Sequence, residues 1–136
     1  TQIHQVIMNL CTNAYQAMGD TGGELTVGLH EVEISTQQSF PGLNILTGKY
    51  IRLEVIDTGH GIDEKTLERI FDPYFTTKET GKGTGLGLAV VDGIVKKQNG
   101  FIKSFSKVGH GSKFQVFWPI SEQNSVPDVF VKRKQT

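Results

Sequence analysis

Eight glycines crowd into three short clusters, and each cluster sits where one regular segment gives way to another. Asp57-Thr58-Gly59-His60-Gly61-Ile62 follows an alternating run, and Gly81-Lys82-Gly83-Thr84-Gly85-Leu86-Gly87-Leu88 opens a run of helical spacing. Gly109-His110-Gly111-Ser112 joins two alternating runs. Glycine adopts backbone angles closed to other residues and lets another backbone or a ligand come close. Clusters so placed demand a fold in which several element ends carry special turns. Glycine makes up 16 of 136 residues, against a usual share of about 7%. With neither a period of three nor low complexity in the chain, the excess belongs to loops.

The segments between the clusters read as follows. Residues 1–18 have a helical period, with Ile3, Val6, Ile7, Leu10, Ala14 and Ala17 on the apolar face. Gly19 to Gly23 stops it. Leu25–Ile34 alternates as a strand, residues 35–48 read as a loop, and Tyr50–Ile56 is a second strand with Ile51, Leu53 and Val55 on one face. Asp63 is the expected N-cap of a short helix to Ile70. Residues 71–84 follow neither period and read as a long loop, of the kind that compact domains keep for function. Gly85–Gln98 returns to helical spacing, with Leu86, Ala89, Val90 and Ile94 facing one way and Gly100 suited to the left-handed C-terminal position. Phe101–Ser106 and Lys113–Trp118 are two further strands, and residues 121–136 read as a tail or linker. The order α-β-β-α-α-β-β predicts an α/β (α+β) two-layer sandwich, a mixed sheet of about five strands on about three helices, over residues 1–120.

This length suits one domain with its own core. One cysteine cannot form an internal disulfide, which excludes a secreted disulfide scaffold. Fourteen basic and fourteen acidic residues balance, so no extended nucleic-acid surface or polybasic membrane anchor is expected. No window reaches the roughly 18 apolar residues of a membrane span, and the start at Thr1 has no signal-peptide pattern. The expected setting is cytoplasmic, in a fragment of a longer chain whose parent can be membrane-anchored.

The second glycine cluster fails the P-loop pattern, with Thr76 where the first Gly should stand, and fails G-x-G-x-x-G, with Leu88 at the third Gly. A glycine loop opening a helix still presents bare N–H groups and the positive dipole end to an anion, and Lys78 and Lys82 add charge. The alternative is a solvent loop. Asn9, Asn13 and Gln16 share one stripe of the first helix. Asn is a poor interior helix residue, so the stripe either aims oxygens at a hard cation such as Mg²⁺ or is an ordinary polar face. Asp57, ending a strand, either accepts a hydrogen bond from an exocyclic amine or serves its own turn.

Taken in order, Asn9-Leu10-Cys11-Thr12-Asn13-Ala14, Asp57 to Ile62, Phe71-Asp72-Pro73-Tyr74-Phe75-Thr76-Thr77-Lys78, Gly83 to Leu88, and Gly109 to Ser112 resemble the N box, first glycine box, F box, second and third glycine boxes of sensor histidine kinases. The chain is identified as a member of that family's catalytic ATP-binding domains, within the GHKL ATPase superfamily. The resemblance implies ATP and Mg²⁺ as cofactors. It implies that Asn13, with Asn9 as companion, binds Mg²⁺, and that Asp57 reads the adenine amino group. It implies that Gly59 and Gly61 pass close to the base and that residues 71–84 form an ATP lid. Nucleotide contacts then fall on Gln16, Ala17, Ile62, Thr76, Lys78, Lys82, Gly83, Thr84, Gly85, Leu86, Gly87, Leu88 and Ser112.

Two positions depart from the family pattern. Gln16 stands where many members have a phosphate-touching Lys, a charge that Lys78 or Lys82 can supply, and Ser112 stands where Thr is commoner. The Gln-Ala-Met ending and the Thr-Thr-Lys lid resemble a nitrogen-regulation-type subgroup. Superfamily hydrolases carry Glu at the position of Asn9. Asn cannot act as a carboxylate base, so weak hydrolysis and phosphoryl transfer to an external acceptor are expected.

The implied acceptor is a histidine on a separate dimerisation domain, and through it a response-regulator receiver domain. His4, His30, His60 and His110 lack the acidic neighbour of the acceptor pattern, and no autophosphorylation by this chain alone is expected. The competing readings are a nucleotide-binding or interaction module without transfer, and a GHKL hydrolase fragment.

Overall fold

The computed structural model describes residues 2–35, 38–40, 43–73, 75, 87–120 and 129–135. Helix α1 spans Gln2–Met18 and buries Val6, Leu10, Ala14 and Met18. These lie strictly four apart, so the buried stripe drifts around the helix. Ile3, expected on that stripe, is half exposed. A 3₁₀ turn at Gly19–Thr21 leads into strand β1, Gly23–Ile34. Strands β2 (Gln38–Phe40) and β3 (Leu43–Ile45) make a small hairpin inside the expected loop. Strand β4 spans Gly48–Asp57, and helix α2 spans Glu64–Leu67. The Asp63 carboxylate caps α2 by accepting from Thr66 N–H at 3.2 Å, as its sequence position predicts. Helix α3 (Gly87–Lys97), strand β5 (Phe101–Lys107) and strand β6 (Gly111–Pro119) follow.

The buried face of α3 carries Val91 and Val95, whereas Val90 is exposed. Between Leu88 and Val95 six of eight residues are apolar, so periodicity alone leaves the face open and packing against α1 selects it. The left-handed position at the end of α3 is taken by Asn99, φ 62°. Gly100 is required one residue later, where a Cβ would meet the Phe117 carbonyl.

The main sheet has the order β5-β6-β4-β1-β7, where β7 is Val129–Gln135. All four of its pairings are antiparallel, which corrects the expected mixed sheet. The connection through α2 and α3 carries β5 past the slot beside β4, and β6 turns back into that slot. β4 and β5 do run the same way, but as second neighbours. Residues 129–135, read from sequence within a tail, pair with β1 from Gly23↔Gln135 to Leu29↔Val129. A short Val-Phe-Val run can cover an open edge, but only the register shows that β1 offers one.

Helices α1 and α3 cover one face of the sheet, and Val6, Leu10, Val91 and Val95 meet Leu53, Val55, Phe114, Val116 and Trp118 there. On the other face, Ile34, Ile45, Tyr50, Phe101 and Phe117 form a second cluster, with the Phe101 and Phe117 rings stacked at 4.6 Å. The Trp118 indole N–H donates to Gln98 Oε1 at 2.7 Å. Gln98→Ala leaves that N–H unpaired at a buried ring and is expected to cost about 1–3 kcal/mol, read by urea denaturation. An unchanged midpoint would show that water replaces the amide. Among the described residues no helix is long and apolar enough to cross a membrane.

Candidate functional site

Three element ends converge beyond Asp57, the last residue of β4. The His60 N–H donates to the Ala17 carbonyl at 3.2 Å, and the Gly109 N–H donates to the His60 carbonyl at 2.8 Å. The loop after β4 is thereby tied to the end of α1 and to the β5–β6 turn. These approaches account for the glycines. A Cβ on Gly59 would come within 2.5 Å of the Ala17 carbonyl oxygen. Gly61, at φ 77°, and Gly111, at φ 94°, face the carbonyls of Lys107 and Asp57. At all three the space a side chain would take is filled by protein backbone, whereas the resemblance implies backbone access to a base at Gly59 and Gly61. A Cβ on Gly87, by contrast, meets nothing within 4 Å.

Asp57 is only 3% exposed, and its register partner Ser112 is 6% exposed. Both lie on the helix-covered face of the sheet. Burial pushes the Asp57 carboxyl above the ordinary aspartate range, while the N–H groups of Gly59 and Ser112 and the charge of His60 pull the other way. The Gly59 N–H donates to Oδ1 at 2.8 Å, so Asp57 serves its own turn. Three hydrogen bonds converge on Ser106. Its Oγ accepts from the Ile62 N–H at 2.7 Å, donates to the Gly111 carbonyl at 3.0 Å, and lies 2.7 Å from Ser112 Oγ. Sequence reasoning passed over Ser106. The signal was its pairing with Ser112 across a short hairpin.

On α1, Asn9 Oδ1 accepts from Gln5 Nε2 at 2.8 Å, and Asn9 Nδ2 donates to the Gly87 carbonyl at 3.1 Å. Asn9 therefore links α1 to the first residue of α3. Asn13 lies one turn on and is half-buried, and Gln16 is exposed beyond it. Leu88 and Ile62 pack against the main core. Phe71, the first F-box residue, meets Phe114 edge to face with centroids 6.4 Å apart, and Arg69 lies 4.5 Å over the Phe75 ring. The structure thus brings Asp57, Gly59, Gly61, Ile62, Ala17 and Ser112 to one end of the sheet, and sets Asn9 against Gly87. Thr76, Lys78, Lys82, Gly83, Thr84, Gly85 and Leu86 lie outside the described residues.

Mg²⁺ takes oxygen ligands and commonly binds through one or two protein groups plus substrate phosphates. No group of three or more His, Cys, Asp or Glu side chains placed to hold a metal occurs among the described residues. The amide oxygens of Asn9 and Asn13, one turn apart on α1, suit an ion delivered with phosphates rather than one caged by protein. Cys11 is half-buried, and burial pushes its thiol pKa up, so it is not a primed nucleophile.

Residues 1–122 match the family described as histidine kinase-, DNA gyrase B- and HSP90-like ATPases. The sensor kinase CckA of Brucella abortus (strain 2308) is 42% identical over 135 residues, covering 98% of this chain and 14% of that protein. The sensor histidine kinase ZraS of Escherichia coli (strain K12) is 38% identical over 120 residues, 88% of this chain and 22% of that protein. The chain therefore spans less than a quarter of these relatives' length. Among solved structures, the catalytic domain of histidine kinase ThkA superposes with a TM-score of 0.61 at 30% identity, over 87% of this chain and 66% of that one. Full-length ShkA in complex with AMPPNP superposes with a TM-score of 0.62 at 27% identity, over 87% of this chain and 21% of that one. With five motif blocks in order and a matching fold, the chain belongs to the histidine kinase-, DNA gyrase B- and HSP90-like ATPase family, and is of the ATP-binding catalytic domain type found in sensor histidine kinases.

Proposed function

We propose that the chain binds Mg-ATP between α1 and α3, with the base at Asp57 and Ser112, and donates the γ-phosphoryl group to a histidine on a separate dimerisation domain. The observation that carries this reading is the carboxylate of Asp57, buried at the sheet end with two backbone donors and no cation bonded to it among the described residues. Holding an ionised group there is costly, and an amine-bearing ligand would offset the cost. The Asn9 bond to Gly87 supports the other half, because it joins the amide stripe of α1 to the start of the helix that the glycine loop opens.

Helix α1 contains no Asp or Glu. It therefore offers no carboxylate to activate water, and transfer rests on positioning and on charge neutralisation by the bound ion. Asn13 and Asn9 would hold that ion. The backbone amides of residues 83–88, with Lys78 and Lys82, would hold the phosphates. The acceptor domain and a response regulator belong to the proposal, as does a cytoplasmic setting where ATP is supplied.

Calorimetric titration with ADP, with and without Mg²⁺, tests the binding step. Labelled ATP with an added histidine-bearing helical domain tests transfer. Label on the added domain and none on the chain alone is the expected result. Binding without transfer would leave a nucleotide-binding module, and no binding at millimolar nucleotide would end the proposal. Asn13→Ala is expected to reduce the Mg²⁺-dependent gain in affinity about tenfold and leave metal-free binding nearly unchanged. An equal loss in both would remove Asn13 from the metal site.

A further inference from the structure

The hydroxyl of Ser106 has one hydrogen and two lone pairs, and three partners surround it. The Ile62 N–H can only donate, and the Gly111 carbonyl can only accept. The single Ser106 hydrogen therefore goes to Gly111, one lone pair takes the Ile62 N–H, and the remaining lone pair meets Ser112 at 2.7 Å. Ser112 must be the donor of that bond. Its only hydrogen is then spent inside the protein, and its lone pairs are what remains for a ligand. Asp57, directly across the strand pair, also presents lone pairs when ionised. The buried end of the sheet thus offers two acceptors side by side.

We propose that Ser106 is a specificity-determining positioning residue: it locks Ser112 as an acceptor, so that the Asp57–Ser112 pair admits a 6-amino purine and rejects a 6-oxo purine. The inference rests on the base position proposed above. An exocyclic amine carries two hydrogens, one for each acceptor, directly or through one water. A carbonyl in the same place would set lone pairs against lone pairs. Discrimination of this kind exceeds what apolar contact supplies, because the site's own polar groups are left unpaired by the wrong base. Without Ser106, the Ser112 hydroxyl is free to rotate and to donate to a 6-oxo group.

The test is the ratio of ADP to IDP affinity, measured by calorimetry on the 136-residue chain. Wild type is expected to favour ADP. Ser106→Ala is expected to reduce that preference about fivefold, the worth of one hydrogen bond, and Ser106→Thr, which keeps the hydroxyl, to restore it. In a Ser112→Ala background the further change Ser106→Ala should leave the ratio where it stands, since Ser106 acts through Ser112. A merely structural role would weaken both nucleotides alike. An unchanged ratio in Ser106→Ala, or an equal loss with and without Ser112, overturns the inference. Should the alanine variant fail to fold, Ser106→Cys keeps the shape, weakens the bonds and is read by the same ratio. Failure of wild type to bind either nucleotide would instead overturn the proposed function, and this inference with it.

Discussion

Gly111→Ala is expected to lower the stability of the fold by about 3 kcal/mol or more. Two costs combine. Residue 111 sits at φ 94°, a left-handed conformation that L residues with a Cβ rarely adopt. The new Cβ would also fall on the carbonyl of Asp57, and two backbones cannot yield as a flexible side chain can. Relief requires β6 to move off β4 at the register pair Asp57↔Ser112, which would open the candidate site together with the sheet. Gly109→Ala separates the two costs. Gly109 has φ 83°, but nothing lies within 4 Å of its Cβ position, so only the conformational part applies, about 1–2 kcal/mol. Urea denaturation of both variants reads the difference. Equal losses would show that the approach of β6 to Asp57 does not matter.

Asp57→Asn should separate function from stability. Nucleotide affinity is expected to fall on the order of a hundredfold, the worth of a hydrogen bond to a charged group, because the amide presents one acceptor and two donors where the carboxylate presents acceptors alone. The stability of the free protein should hold or rise at neutral pH. Burial raises the Asp57 pKa in the folded state. The contribution of such a group to folding is therefore fully present below the unfolded pKa near 4 and is lost as pH rises through the higher folded value. At pH 7 the wild-type fold carries that loss, and the neutral amide removes it while keeping an oxygen for the Gly59 N–H. The same shift makes nucleotide affinity decline on acidification earlier than an ordinary aspartate would. A variant that melts well below wild type at pH 7 would show that the charge stabilises the fold, and binding unaffected by the change would remove Asp57 from the site.

The legible part of the molecule was local. Helix α1, strands β1, β4, β5 and β6, and the Asp63 cap could all be placed from spacing, because an amphipathic element records its buried face every two or every 3.6 residues. On α3 the expected face holds at Ile94, which packs against the core, but not at exposed Val90, because apolar residues surround the helix and a period cannot be found where nothing alternates with it. The mixed sheet was wrong for a different reason. Periodicity says that a strand exists but not which neighbour it takes, and the slot beside β4 went to β6 rather than β5. Residues 129–135 read as part of a tail because a seven-residue edge strand carries too little pattern to stand out from a polar terminus.

The glycine clusters divide in the same way. By itself the sequence determined that residues 57–62 and 109–112 must turn sharply, that Asn9, Asn13 and Gln16 share a stripe, and that the blocks come in the order of one family. Only the tertiary structure decided what the turns are for. Gly59, Gly61 and Gly111 admit the backbones of Ala17, Lys107 and Asp57, contacts between residues some forty or more positions apart. The polarity of Ser112 was equally out of reach, since it depends on an N–H of Ile62 and a carbonyl of Gly111 meeting one hydroxyl of Ser106. A residue type states how many hydrogens and lone pairs a side chain has. Which of them a ligand will find depends on which are already used, and that is set by the partners the fold brings to it.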